Sequence, residues 1–323
     1  MIFNQYAKLT ACALLTLLFG ASAYAENKTP ERPNLIFFFA DDQRNTTLGC
    51  AGDPIIQTPN IDQLANEGVL FRNAFVTTSI CAASRACVMT GLTERTHGYT
   101  FGTPPVAEAF TRTSYPVLLH QAGYRTGFFG KFGANYEGFD RKKPFDNLQV
   151  FDAFEDRDRP YLHKQKDGTI RHIDELNTEG AIRFLQEQST TQPFALQVSF
   201  SSGHAEDSDK ENHYPYIDAV KDLYTNVTFP EPRLNDPAIF ESQPDFLKTS
   251  LNRERYFWRW DTPEKYQKNI RNYYRLISGI DYMMGQILTT LKQQGLADNT
   301  VIIYVGDNGY YMGDRGFAGK WSH

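Results

Sequence analysis

Asn34-Leu35-Ile36-Phe37-Phe38-Phe39-Ala40 is an apolar run that stops abruptly at two acids, Asp41-Asp42. A run of this length without polar alternation suits a strand buried on both faces of a parallel sheet. A second run, Thr300-Val301-Ile302-Ile303-Tyr304-Val305, ends the same way, at Gly306-Asp307-Asn308-Gly309. Between them, helical and extended patterns alternate. Thr58-Pro59 supplies an N-cap and a first-turn proline, Ile61, Leu64 and Ala65 share a face, and Gly68 ends the helix. Val69-Leu70-Phe71 then resumes an extended form. The spacing predicts helices over 116–122, 174–188 and 263–293, and strands over 125–129 and 194–200. The last helix carries an apolar stripe from Ile270 to Leu291. Such alternation predicts an α/β fold with a mostly parallel central sheet flanked by helices.

Residues 205–262 break the pattern with prolines, aromatics and mixed charges. They are expected to form an irregular substrate-loop insertion. Tyr214, Tyr216, Tyr224, Tyr256, Phe257, Trp258 and Trp260 would offer stacking faces to sugars.

The first 25 residues read as an export signal. Lys8 gives a basic start, Ala11 to Phe19 is a short apolar core, and Ala23-Tyr24-Ala25 is a cleavage pattern before Glu26. Residues 26–323 would then be periplasmic or secreted, with no membrane span in the mature chain. Thirty-three Lys+Arg against 38 Asp+Glu give a net charge of −5, and no long basic run occurs, which argues against a nucleic-acid partner. With 14% aromatic and 41% hydrophobic residues the chain is no disordered tail or coiled coil, and 323 residues suffice for one large domain.

In open parallel sheets, ligands gather at the carboxyl ends of the strands. Asp41-Asp42 and Asp307-Asn308 both fall there. Acids converging on one crevice repel unless a cation neutralises them, and an all-oxygen set suits Ca²⁺ or Mg²⁺. Either pair alone is an ordinary turn or cap motif. Cys81 adds weight: it opens a helix running to Thr90, with Arg85 one turn on, so an anion beside residue 81 is stabilised. Cys12 lies in the signal. Cys50 and Cys87 remain geometrically able to pair, leaving Cys81 as the odd thiol.

Cys81-Ala82-Ala83-Ser84-Arg85 followed by Thr90-Gly91 resembles the C-x-(P/A)-x-R…TG element of type I, formylglycine-dependent sulfatases of the alkaline phosphatase superfamily. Pro33-Asn34 before Asp41-Asp42, Thr58-Pro59-Asn60-Ile61-Asp62, Asp307-Asn308-Gly309 and Lys320 follow the family order over nearly the whole mature chain. The resemblance implies that a formylglycine-generating or anaerobic sulfatase-maturating enzyme oxidises Cys81 to Cα-formylglycine. Its hydrated gem-diol would be the nucleophile. Asp41, Asp42, Asp307, Asn308 and the diol oxygen at residue 81 would hold Ca²⁺, with Mg²⁺ the lesser choice. Arg85 would hold the diol, and Lys131 and Lys320 the sulfate oxygens. His204, in Ser202-Gly203-His204, would stand at the leaving group. His97 also fits a family pattern, but no catalytic role is assigned to it.

The implied activity is hydrolysis of sulfate esters on a sulfated polysaccharide. The alternatives are a phosphomonoester or phosphonate hydrolase and an inactive sulfated-glycan-binding protein. Two departures stand out. Gly133 occupies the place of the histidine in the Lys-x-His of many relatives, which puts the base for sulfate release in question. The chain also stops three residues after Lys320, where relatives continue into more strands and a small C-terminal subdomain. A truncated sequence, poorly stable or inactive alone, is the expectation.

Overall fold

The computed structural model describes residues 32–138, 140, 142–150 and 161–320; the export-signal reading of residues 1–25 lies outside them. The two apolar runs form strands β1 (Asn34–Ala40) and β5 (Thr300–Gly306). They pair in parallel, Leu35 opposite Val301 and Phe39 opposite Val305. Strands β2 (Arg125–Gly130), β3 (Asn147–Gln149) and β4 (Phe194–Ser199) complete a five-stranded parallel sheet of order β3-β2-β4-β1-β5. The expected fold class is therefore the observed one, and the carboxyl ends of β1 and β5 lie side by side.

Strand parity assigns the two faces. Ile36, Phe38, Leu196 and Val198 pack into the main core with helices α1 (Pro59–Glu67), α4 (Ile173–Gln186) and α6 (Pro263–Gln293). Helix α6 starts where Thr262 Oγ1 accepts from Lys265 N at 3.3 Å, with Pro263 in its first turn. Its Tyr273, Ile277, Ile280, Met284 and Ile287 are fully buried. Each such apolar side chain contributes roughly 1.5–3 kcal/mol, so the stripe seats the helix. Helices α2 (Cys81–Thr90) and α3 (Tyr115–Gln121) cover the opposite face. A cavity of about 200 Å³ on that face, lined by Leu35, Phe37, Val88, Leu119 and Ile303, contains none of the candidate residues.

Four expectations need correction. Residues 205–262 are not wholly irregular: they hold helices Pro237–Glu241, Asp245–Lys248 and α5 (Leu251–Arg259). Within the same stretch Tyr214, Tyr224 and Trp260 are buried, because they pack against Tyr273, Tyr274 and Tyr266 of α6 and present no face to sugars. Cys50 and Cys87 are both free thiols. Cys87 Sγ instead meets His97 Nε2 at 3.3 Å. Val69, Leu70 and Phe71 belong to no strand and are exposed.

Strand β5 has one neighbour, β1, among the described residues, and its Val301 and Ile303 are each 46% exposed. No helix among the described residues is long and apolar enough to cross a membrane.

Candidate active site

Beyond β1 the ladder continues for one more bond, Asp307 N to Ala40 O at 3.0 Å, which draws the two acid pairs together. Asp42 sits in the left-handed region at φ 47°, unusual for a non-glycine residue. Asp307 Oδ1 secures it by accepting the Asp42 amide at 3.0 Å, and Tyr273 donates its hydroxyl to the Asp42 carbonyl at 3.0 Å. Asn308 Nδ2 donates to Asp42 Oδ1 at 2.7 Å. All four of these polar residues, Asp41, Asp42, Asp307 and Asn308, are buried.

Cys81 is the first residue of α2 and is buried facing this cluster: ligand atoms of Asp41, Cys81 and Asp307 lie within 4.8 Å of one another. Arg85, one turn along, donates from Nε to Asp307 Oδ2 at 2.9 Å, and from Nη1 to Lys131 O at 2.9 Å and Ser199 Oγ at 3.1 Å. Its guanidinium also lies 4.6 Å from the Phe39 ring centroid. Lys131, just past β2, pairs with Asp41, and Lys320 pairs with Asp42 and approaches Asp41 Oδ1 at 4.0 Å. Three carboxylates thus face three cations.

Gly203 brings the last member in. At φ +105° its Cα lies so close to the Asp41 carbonyl that a Cβ would stand 1.9 Å from that oxygen. The turn places His204 Nε2 3.7 Å from Asp42 Oδ2. His204 Nδ1 lies 2.7 Å from the Ala205 carbonyl. A carbonyl only accepts, so Nδ1 carries the proton and Nε2 faces the acids.

Electrostatics follow from burial and crowding. Burial pushes Asp41 up, but the Lys131 and Lys320 charges overcome it and hold the carboxyl well below its usual range. Burial, reinforced by the Asp41 charge, pushes Asp307 up to about 7, and Arg85 offsets this only in part. Burial and then the Lys320 charge lower His204.

The donor set accepts a hard divalent cation. Asp41 Oδ1, Asp42 Oδ2 and Asn308 Oδ1 are buried oxygens with no hydrogen-bond partner. Orphaned acceptors of this kind are costly unless a cation or donor satisfies them. Three carboxylates and one amide oxygen match Ca²⁺ chemistry.

All nine residues singled out in the sequence therefore come together. Gly133 explains the missing histidine: at φ +72°, a Cβ there would lie 2.6 Å from Arg85 Cδ. Sequence reasoning missed the supports. Asp174, at the start of α4, accepts the Ser201 and Ser202 amides at 3.0 and 2.8 Å and the Ser202 hydroxyl at 2.6 Å. Tyr161 donates its hydroxyl to the Ser201 carbonyl at 2.6 Å. The acid's place at a helix start was the one available signal for Asp174; Tyr161 offered none.

A family model described as Sulfatase matches residues 33–323. The chain is 26% identical to an N-acetylglucosamine-6-O-sulfatase of Bacteroides thetaiotaomicron, over 95% of this chain and 63% of the relative. It is 28% identical to the iduronate 2-sulfatase of Mus musculus, over 94% of this chain and 59% of the relative. It thus spans about three-fifths of the length of these curated relatives. Among solved structures, the phosphonate monoester hydrolase of Agrobacterium radiobacter superposes with a TM-score of 0.71 at 21% identity, covering 90% of this chain and 66% of that one. A second structure, in complex with its substrate D-glucosamine-2-N,6-O-disulfate, gives 0.68 at 24% identity, covering 89% and 67%. These likenesses agree on the fold. By the match over residues 33–323, this chain belongs to the sulfatase family.

Proposed function

We propose that the protein is an exported enzyme that hydrolyses sulfate esters, R–OSO₃⁻ + H₂O giving ROH, SO₄²⁻ and H⁺, on a sulfated carbohydrate. One observation carries the reading: Cys81, the four oxygen donors and the Arg85, Lys131 and Lys320 cations converge in one buried cluster, with the partly exposed His204 beside it. The relatives named for sulfatase action on N-acetylglucosamine and iduronate support the carbohydrate class.

Cys81 is the position converted to Cα-formylglycine by a maturation enzyme, and Asp41, Asp42, Asp307 and Asn308 hold Ca²⁺. The cation, when bound, neutralises the carboxylates and acidifies the oxygen nucleophile at residue 81. Arg85 is pinned by Asp307, Ser199 and the Lys131 carbonyl, so it orients the residue-81 side chain. Lys131 and Lys320 exchange their carboxylate partners for sulfate oxygens and take up the charge that develops there. With Nδ1 committed to the Ala205 carbonyl, His204 donates from Nε2 only as the imidazolium, so its partly exposed ring first takes a proton from solvent and then passes it from Nε2 to the leaving alcohol oxygen.

Mass spectrometry of the tryptic peptide Asn73–Arg85, from protein made in its native host, tests the modification. Residue 81 as an aldehyde trapped by a hydrazide is expected; an alkylatable Cys81 throughout defeats the reading. Turnover of a hexosamine sulfate against the matching phosphate ester and a phosphonate monoester then tests the substrate class. Preference for phosphorus would reassign the chain to phosphoryl chemistry.

A further inference from the structure

Helix α5 emerges from the stretch whose sequence shows no clear pattern, yet its buried face is polar. Asn252, Arg255 and Arg259 are spaced three and four residues apart and so share one side of the helix. Together they grip three parts of the site's surroundings, the two arginines sharing Asp207. Asn252 Nδ2 donates to the carbonyl of Lys320 at 2.8 Å. Arg255 donates to Asp207 Oδ2 from Nη2 at 2.6 Å and from Nε at 3.2 Å. Arg259, fully buried, pairs with Asp207 Oδ1 and donates from Nη1 to the Tyr310 hydroxyl at 3.3 Å. Asp207 lies three residues after His204, and Tyr310 two residues after Asn308. The far end of α5 is fixed in turn, since Asn269 of α6 donates to the Arg259 carbonyl at 2.9 Å.

We propose that α5 is a brace that positions His204 and Lys320, with Asp207 and Arg259 as its main positioning residues. The inference rests on the sulfatase reading for His204's task, and on geometry alone for the brace. Asp174 and Tyr161 hold the loop ahead of His204, at Ser201 and Ser202. The Asp207 carboxylate holds it behind. Two fixed points, one on each side, leave the imidazole little room to swing away from Asp42. A buried guanidinium with a carboxylate partner is costly to assemble, and breaking such a pair is far more damaging than never having built it. An ion pair beside a proton donor is therefore a stiff hinge pin, where an apolar contact would slide.

The test separates positioning from mere stability by the leaving group. A positioned proton donor matters for a sugar sulfate, whose alcohol is a poor leaving group, and much less for 4-nitrophenyl sulfate. The ratio of kcat/KM for the two substrates does not depend on how much of a preparation is folded. In Asp207→Asn the sugar-to-aryl ratio is expected to fall about tenfold or more, in the same direction as in His204→Ala. Arg255→Gln, which removes only the partly exposed arm, is expected to lower it less and serves if Asp207→Asn does not fold. A parallel loss on both substrates, with the ratio intact, overturns the brace.

Hydrogen exchange gives an arm that needs no turnover. The His204 amide bonds to Ser201 O at 3.3 Å and the Glu206 amide to His213 O at 2.7 Å. Both are expected to exchange faster in Asp207→Asn and Arg255→Gln while the α6 amides keep wild-type rates. Unchanged exchange at 204 and 206 also overturns the brace. Wild-type protein that turns over neither ester defeats the sulfatase reading instead, and the exchange result still decides the brace.

Discussion

Arg85 Nε and Asp307 Oδ2, 2.9 Å apart and 222 residues apart in the chain, join the start of α2 to the end of β5, with side chains 3% and 0% exposed. Breaking a buried pair from one side leaves an unpartnered charge. Arg85→Met is expected to lower the unfolding free energy by about 3–5 kcal/mol. The double variant Arg85→Met, Asp307→Leu should lose less than the single one. Urea denaturation of the native chain, Arg85→Met, Asp307→Leu and the double variant checks this, and a double loss equal to the sum of the two single ones would mean that the pair is not coupled.

Restoring a histidine at position 133 is expected to fail. The φ of +72° and the 2.6 Å approach of a Cβ to Arg85 Cδ oppose any side chain there. Gly133→His should cost about 1–3 kcal/mol from backbone strain and displace Arg85 as well. Thermal melts of Gly133→Ala and Gly133→His read the effect. A histidine variant as stable as the native chain would show that the loop can reopen.

Ca²⁺ is expected to raise thermal stability, because it would satisfy the orphaned Asp41, Asp42 and Asn308 oxygens. At a hundredfold excess over its Kd the gain is about 2.7 kcal/mol. Mg²⁺ should give a smaller shift, since it demands tighter octahedral geometry. Asp41→Asn with Asp307→Asn should abolish the shift. Calorimetric melts with each cation and with chelator decide the matter.

Stability should fall on mild acidification through His172. Its Nδ1 accepts the Asp174 amide at 3.2 Å as N-cap of α4, and its Nε2 lies 3.2 Å from the Pro215 carbonyl. Burial lowers its pKa, partly opposed by the Asp174 and Glu175 charges. The unfolded chain therefore binds the proton more readily. The contribution is fully present above the unfolded value of about 6.5 and is lost as pH falls through it toward the folded value. Urea midpoints at pH 7.5 and 5.5 should differ less in His172→Asn, which caps without titrating. An equal drop in both proteins would clear His172.

Reading the chain as a sequence located β1, β5 and α6 because their burial is written in composition and period. It also placed Asp41-Asp42 and Asp307-Asn308 in one crevice, since both follow runs that belong at neighbouring strand ends. The order of the strands was not legible, because β4 inserts beside β1 only through long-range pairing. Helix α5 was hidden for a different reason. Its inward face is Asn252, Arg255 and Arg259, and hydropathy reads such residues as solvated until their partners at Lys320, Asp207 and Tyr310 are known. The free thiols of Cys50 and Cys87 were beyond reach as well, since Cys87 is engaged by His97, ten residues further along.

Strand β5 carries its chemistry on one margin and a liability on the other. Its inner edge delivers Asp307 to Asp42, and among the described residues its outer edge has no neighbour. The segment Thr300-Val301-Ile302-Ile303-Tyr304-Val305-Gly306 has no charge and no proline to discourage a second strand from adding there. Wherever that edge is left uncovered, the colloidal behaviour of a concentrated solution is tied to the same seven residues that anchor the acid cluster. A lysine at the outward Val301 would act as a gatekeeper against fibre-like growth, far along the strand from Asp307.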